Sequence, residues 1–272
     1  MSIDVSFITT VRNGEKFIAD TVNSVLNQSM SGWEYIIVDA GSTDGTLKII
    51  HDYMAHDSRI KIIETKGVGR GRALNLAIKK TFGKYVVNID VDDPCHYQRA
   101  EIQKYILDRY KNFSSIATAS TYLAINEDPS WTYYDYANEN IDVKNITITK
   151  DMPFSNTSIN HSSVMFRREA LIDVGMYMER RKYQFDYELW IRLSLNSYEI
   201  GFIPLKLSSK RIHLEQSFEI RDRKKYLKSA LKLNLYIINS LNLSSKYYYY
   251  VYLKYLYGYL PKGIRKRIKK VL

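Results

Sequence analysis

The sequence predicts an α/β protein: a Rossmann-like, mostly parallel sheet with helices on both faces, followed by a helical C-terminal segment. Three observations lead there. Short apolar runs alternate with stretches of helical periodicity through the first 90 residues. Acid-rich turns stand where two of those runs end. The composition changes abruptly near residue 220.

Val5-Ser6-Phe7-Ile8-Thr9 reads as the first strand, and Phe17, Ile18, Val22, Val25 and Leu26 then share one helical face. Tyr35 to Val38 is a second strand, ending in the turn Asp39 to Gly45; Leu47, Ile50 and Met54 suit a second helix. Ile60 to Ile63 is a third strand, Ala73, Leu76 and Ala77 belong to a third helix, and Tyr85 to Ile89 is a fourth strand. Strands alternating with helices build βαβ units and a parallel sheet, in which ligands bind beyond the carboxyl ends of the strands. The second half is less regular. Residues 125–160 read as an extended loop region with short elements, Ser162 to Arg167 as an edge or buried strand, Asp186 to Leu195 as a helix and Ile200 to Leu207 as a strand. Leu227, Leu231, Leu235 and Ile238 predict an amphipathic helix over 222–241 that packs on the body.

Composition bounds the function. The 272 residues carry a net charge of +11, which at first suggests a nucleic-acid binder. Residues 221–272, however, hold 14 Lys/Arg against one acid, hence +13, leaving 26 against 28 elsewhere, hence −2. The body is nearly neutral, so the expectation is no nucleic-acid partner. The single cysteine, Cys95, excludes an internal disulfide and fits a reducing compartment. No apolar run approaches the ~18 residues of a spanning helix, and the N-terminus reads directly into a strand rather than a signal peptide. The expected location is the cytoplasm.

Three constellations carry chemistry. Asp90-Val91-Asp92-Asp93 places three carboxylates directly after an apolar strand, where mutual repulsion is costly and a divalent cation such as Mg²⁺ or Mn²⁺ would relieve it. In an extended segment Asp90 and Asp92 would point to the same side; the plainer reading is a solvated turn capping a helix that begins near Pro94. Asp39-Ala-Gly-Ser-Thr-Asp-Gly-Thr46 permits a tight turn in which Asp39 could meet a base or ribose, or is an ordinary turn with Ser42 or Asp44 as N-cap. Lys66-Gly-Val-Gly-Arg-Gly-Arg72 leads into a helix and could receive a diphosphate, or is a flexible connection with solvated arginines.

Together and in this order, these segments resemble the family 2 glycosyltransferases, inverting enzymes of the GT-A fold. The resemblance covers about residues 3–217 and rests on Val5 to Asn13, Asp39 to Thr46, Gly83 to Asp93, His161 to Arg168, Val174-Gly175 and Phe185-Asp-Tyr-Glu-Leu-Trp-Ile-Arg192. It implies a nucleotide-sugar donor, UDP-linked by default, a divalent cation, and a saccharide or lipid-linked saccharide acceptor in cell-surface polysaccharide or glycan synthesis. It implies a domain over 1–220, with donor binding in about 1–110 and acceptor binding in about 111–220, followed by the segment 221–272. By the same resemblance Asp92 and His213 would serve the metal, and Thr10, Arg12, Asp39, Ser42, Arg70 and Asp90 the donor. Asp186 would be the general base. Lys210-Arg211-Ile212-His213, followed by Ser217, looks like the family's late R-x-H…S element.

This chain departs from the common pattern. Arg12 stands where an aromatic is usual, Ala40 replaces a second acid, Leu74 replaces an arginine, and Phe185 replaces the glutamate before Asp186. His161 reads as a satisfied core or neighbouring histidine, and Cys95 as packing only. Ten of the 24 tyrosines and most of the excess charge lie after residue 220, so residues 245–272 could rest on the anionic inner face of a membrane or form an aromatic hairpin with a solvated tail. Two other classes compete: a sugar-nucleotide nucleotidyltransferase, whose glycine-rich first turn is not matched by Thr9 to Gly14, and a non-enzymatic nucleic-acid or membrane binder using the basic tail.

Overall fold

Alternation along the strands divides the sheet into two buried faces. Val5, Phe7, Tyr35, Ile37, Tyr85 and Val87 enter one apolar core, while Ile8, Ile36, Val38 and Val86 are equally buried on the other side. The computed structural model describes residues 2–127, 135–136, 141, 143–146, 159–212, 222–261, 263–265 and 267. In order these form β1 (Val5–Val11), α1 (Ile18–Leu26), β2 (Trp33–Asp39), α2 (Thr46–His56), β3 (Ile60–Glu64), α3 (Arg70–Lys80) and β4 (Tyr85–Asn88). After them come α4 (Arg99–Arg109), β5 (Phe113–Leu123), β6 (Lys144–Ile146), a 3₁₀ turn (His161–Ser163), β7 (Met165–Arg167), α5 (Arg168–Asp173), α6 (Phe185–Leu195) and β8 (Glu199–Arg211).

The eight strands stand in the order β3-β2-β1-β4-β7-β5-β8-β6, with β7 and β6 running against the rest. Residues from α1, α2 and α4 fill the core on the first face. On the second, α3 packs on β1 and β2, and Trp190 of α6 stacks on Phe166 of β7 with centroids 5.4 Å apart. The chain leaves β1 toward β2 on one side and β4 stands on the other, so a crevice opens at their carboxyl ends.

Three expectations need correction. The run Ser162 to Arg167 is a 3₁₀ turn followed by a three-residue strand, reversed against both β4 and β5. No helix begins at Pro94: Cys95 makes an isolated bridge to Ser208, and α4 starts at Arg99. The acids after β4 are not extended, since the strand stops at Asn88 and Val91-Asp92 form a turn closed by Asp93 N donating to Asp90 O at 3.1 Å.

The described residues up to Ile212 form one compact unit, and those from Asp222 onward a second. The second contains α7 (Arg223–Ser240) and α8 (Lys246–Tyr259). Ile238, Leu243 and Val251 make its core, with Leu231, Leu241, Tyr247 and Tyr248 around them. Gly258 lets the helices approach closely, because a Cβ there would lie 2.4 Å from Leu227, and Arg223 donates twice to the Gly258 carbonyl. No helix among the described residues is long and apolar enough to cross a membrane.

Candidate active site

The turns beyond β1 and β2 are sewn together by short polar side chains. Asn13, at φ +57, accepts from Thr43 N at 2.8 Å while its own N–H donates to Ser42 Oγ at 2.9 Å. Asp39 is 1% exposed and organises its own turn: Oδ1 accepts from Gly41 N and Ser42 N, at 2.8 and 2.9 Å, and Oδ2 from Ser42 Oγ at 2.5 Å. Gly41, at φ +87, sits where glycine is favoured, and a Cβ there would also lie 3.2 Å from Gly67 N. That close approach brings the glycine-rich loop before α3 against the Asp39 turn, and Thr65 reinforces it with two bonds to the Asp39 carbonyl.

Beyond β4 the three acids converge. Asp90, Asp92 and Asp93 each offer a carboxylate oxygen, all within 4.8 Å of one another. Asp93, 3% exposed, is the anchored member: Oδ2 accepts from Ser162 Oγ at 2.7 Å and Oδ1 from Arg211 N at 2.9 Å. Burial, with the charges of Asp90 and Asp92, pushes its carboxyl well above the ordinary carboxylate range. Burial would raise Asp90 too, but the Arg70 guanidinium beside it overcomes that and holds it below the usual value. Three hard oxygens that cannot all ionise comfortably suit a divalent cation, so the donor set fits one.

Arg70, at the first position of α3, ties this cluster to α6. It donates to Asp90, lies 5.4 Å from the Phe185 ring centroid, and feels the charges of Asp186 and Asp92. Desolvation would lower its pKa, but these carboxylates raise it above the ordinary arginine value. Asp186 stands in the first turn of α6, after Gln184 at φ +52, and accepts from Tyr187 N at 2.8 Å. The N-cap is Gln184 rather than Asp186. Behind these groups His161 is 6% exposed, with Nδ1 3.1 Å from Asn88 Nδ2 and 4.0 Å from Asp90, and Nε2 2.7 Å from Tyr177 OH. The amide donates to Nδ1, so the ring carries its proton on Nε2 and donates to Tyr177. Burial holds its pKa below the usual value.

The glycosyl transferase family 2 model matches residues 6–175. The chain belongs to that family. TuaG of Bacillus subtilis (strain 168), named for glycosyl transfer in teichuronic acid biosynthesis, is 34% identical over 191 residues, 70% of this chain and 71% of TuaG. The fold resembles S. aureus TarS 1–349, solved with UDP-GlcNAc, at a TM-score of 0.69 and 17% identity over 94% of this chain and 72% of that one. It also resembles the mannosyltransferase PcManGT of Pyrobaculum calidifontis, solved with GDP-Man and Mn²⁺, at a TM-score of 0.69 and 15% identity over 95% and 72%. The sheet is therefore of the GT-A kind, the protein is a glycosyltransferase, and the nucleotidyltransferase reading is set aside.

Asp90, Asp92, Arg70 and Asp186 gather at one place. Asp39 and Ser42 lie in the neighbouring turn, bonded to each other. Thr10 is half-buried near the end of β1, and Arg12 is exposed just beyond it. His213 and Ser217 lie outside the described residues. Arg211, read as part of the late R-x-H…S element, is buried within the fold. Its side chain is 3% exposed and donates to Asp20 Oδ2 and Ile125 O, both at 2.8 Å, and to Asp92 O at 3.3 Å. His161 is satisfied, as the sequence suggested. Sequence reasoning missed Asp93 as the anchored acid and the Asn88–His161–Tyr177 chain behind it; Asn88 and His161 lie in the motifs, but Tyr177 carried no signal.

Proposed function

We propose that the protein is a metal-dependent, inverting hexosyltransferase. Its donor would be a nucleotide-sugar, UDP-linked by default. The acceptor would be a saccharide or lipid-linked saccharide of a cell-surface polysaccharide or glycan. The observation that carries this reading is the meeting of three carboxylates, Arg70 and Asp186 in the crevice beyond β1 and β4. TarS was solved with UDP-GlcNAc and PcManGT with GDP-Man and Mn²⁺, which supports a nucleotide-sugar and a cation while leaving the base open.

Asp92 and Asp90, with Asp93 anchored beside them, would hold the cation, and His213 is proposed as a further metal or phosphate contact. A divalent ion held there would supply positive charge to the departing diphosphate. Arg70, released from Asp90, and the exposed Arg72 would add hydrogen bonds to the same group. The turn at Asp39 and Ser42, with Thr10 and Arg12, would receive the nucleoside. Asp186 would take the proton from the acceptor hydroxyl as that oxygen attacks the anomeric carbon in line with the leaving group. One displacement inverts the centre and needs no covalent intermediate. Residues 1–110 would serve the donor and 111–220 the acceptor, and residues 245–272 would rest on the anionic inner face of the cell membrane, near a lipid-linked acceptor.

Thermal stabilisation by UDP-, dTDP- and GDP-sugars, each with and without Mn²⁺, tests the reading. One donor should raise Tm in the presence of metal, and its slow hydrolysis should fall in Asp186→Asn and Asp92→Asn. Hydrolysis unchanged in both variants would remove the site assignment.

A further inference from the structure

Helix α8 carries two apolar faces. One is packed: Val251 is 2% exposed in the core with Ile238 and Leu243, and Gly258 meets Leu227. On the opposite side Tyr249, Tyr252, Leu253 and Leu256 recur at spacings of three and four, and are 75, 48, 65 and 61% exposed. Four large side chains in one bare stripe on a helix otherwise anchored by a core mark an interaction surface. The chemistry around the stripe selects its partner. Within α8 there is no acid, and none follows Asp222 to the end of the chain. Lys246 and Lys254 belong to the same helix. Beyond it, Arg265 Nε donates to Leu260 O at 3.0 Å and Tyr257 OH to Arg265 O at 3.0 Å, so the start of the basic tail turns back onto the helix end. Ile264, in the same stretch, is 47% exposed.

We infer that Tyr249, Tyr252, Leu253 and Leu256 enter the headgroup layer of an anionic bilayer, with α8 lying in the plane of that surface; this rests on the membrane reading above and specifies the face. Its 14 residues span roughly 21 Å at ~1.5 Å each, short of the ~30 Å hydrocarbon core, so the helix lies on the surface instead of crossing it. Tyrosine hydroxyls suit the headgroup level while the leucines reach the acyl boundary, and lysines and arginines meet anionic lipid. A second copy of the chain would present the same +13 segment and be repelled, whereas an anionic surface attracts it.

The test is flotation of the full chain with extruded vesicles of phosphatidylcholine alone or mixed with phosphatidylglycerol, at about 0.1 and 0.5 M salt. Wild type should bind the anionic vesicles, weakly at high salt, and not the neutral ones. Leu253→Gln/Leu256→Gln, made at exposed positions, should keep Tm and lower the anionic partition coefficient at least tenfold. Because Cys95 is buried, Leu256→Cys takes an environment-sensitive probe selectively, and its emission should shift to the blue on binding. Binding of the double variant equal to wild type would overturn the face while leaving membrane association standing. No binding by wild type would overturn both and leave glycosyl transfer untouched. A lipid-free dimer by light scattering that the double variant abolishes would assign the stripe to a second copy and overturn the inference.

Discussion

Replacing Arg70 with glutamine should make the protein bind Mn²⁺ more tightly when no nucleotide is present. In the structure the guanidinium holds Asp90, one of the three acids that a cation would use, so an arriving ion must first displace it. Opposite charges about 3 Å apart attract by roughly 5 kcal/mol at an effective dielectric of about 20. The Arg70 side chain is 40% exposed and that of Asp90 23%, so water recovers much of this when the pair opens. The net strength is then about 1–2 kcal/mol. At ~1.4 kcal/mol per tenfold, Arg70→Gln should lower the Mn²⁺ Kd roughly 5- to 30-fold. The free-ion electron paramagnetic resonance signal, titrated at pH 7.5, reads this directly. With a nucleoside diphosphate the sign reverses, since the variant lacks a phosphate donor and should bind the nucleotide about tenfold more weakly. Equal or weaker Mn²⁺ binding by the variant would refute the competition.

Asp186→Asn should slow hydrolysis of the stabilising donor about 100-fold or more while leaving Mn²⁺ and nucleotide binding within about twofold; stopped-time product assays beside calorimetry check both. Arg211→Met removes a buried guanidinium from the carbonyls of Ile125 and Asp92 and should cost about 2–4 kcal/mol, seen in calorimetry as a Tm lower by roughly 5–15 °C. His161 has a folded pKa below its unfolded value of 6.5, so the unfolded chain binds the proton first. Its contribution is therefore intact above that pH and falls away below it, by up to about 1.4 kcal/mol per unit. Urea unfolding at pH 7.5 and 5.5 should show wild type losing more stability than His161→Gln; equal losses would contradict the assignment.

The first four strands and three helices were legible because their buried positions carry large apolar side chains at periods of two or of three and four. Strand β5 was not read from the sequence. Between Phe113 and Leu123 its one other large aliphatic is Ile116, and it buries Ser114, Ser115, Ala117 and Thr118 instead. Small side chains like these carry little hydropathy signature, although they are buried. The short β7 was visible as apolar, but its reversed direction depends on pairing with β4 and β5, which no local pattern encodes. At the site, three acids in four positions were plain, while the division between them was not. Asp93 is anchored by Ser162 and the Arg211 backbone, 69 and 118 residues away in the chain. Arg211 was read from the sequence only as a member of the late R-x-H…S element. Only the tertiary structure reveals that its donors are spent on Asp20 and on the carbonyls of Ile125 and Asp92.

Cation-dependent capture of a nucleoside diphosphate at the tip of β4 is the property on which the proposed chemistry depends. Calorimetric titration of UDP and GDP into wild type and Asp92→Asn, with Mn²⁺ or with a chelator, measures it. At least one nucleotide should bind wild type at least tenfold more tightly with Mn²⁺, and that gain should vanish in Asp92→Asn. Binding that is indifferent to both the ion and the substitution would contradict it.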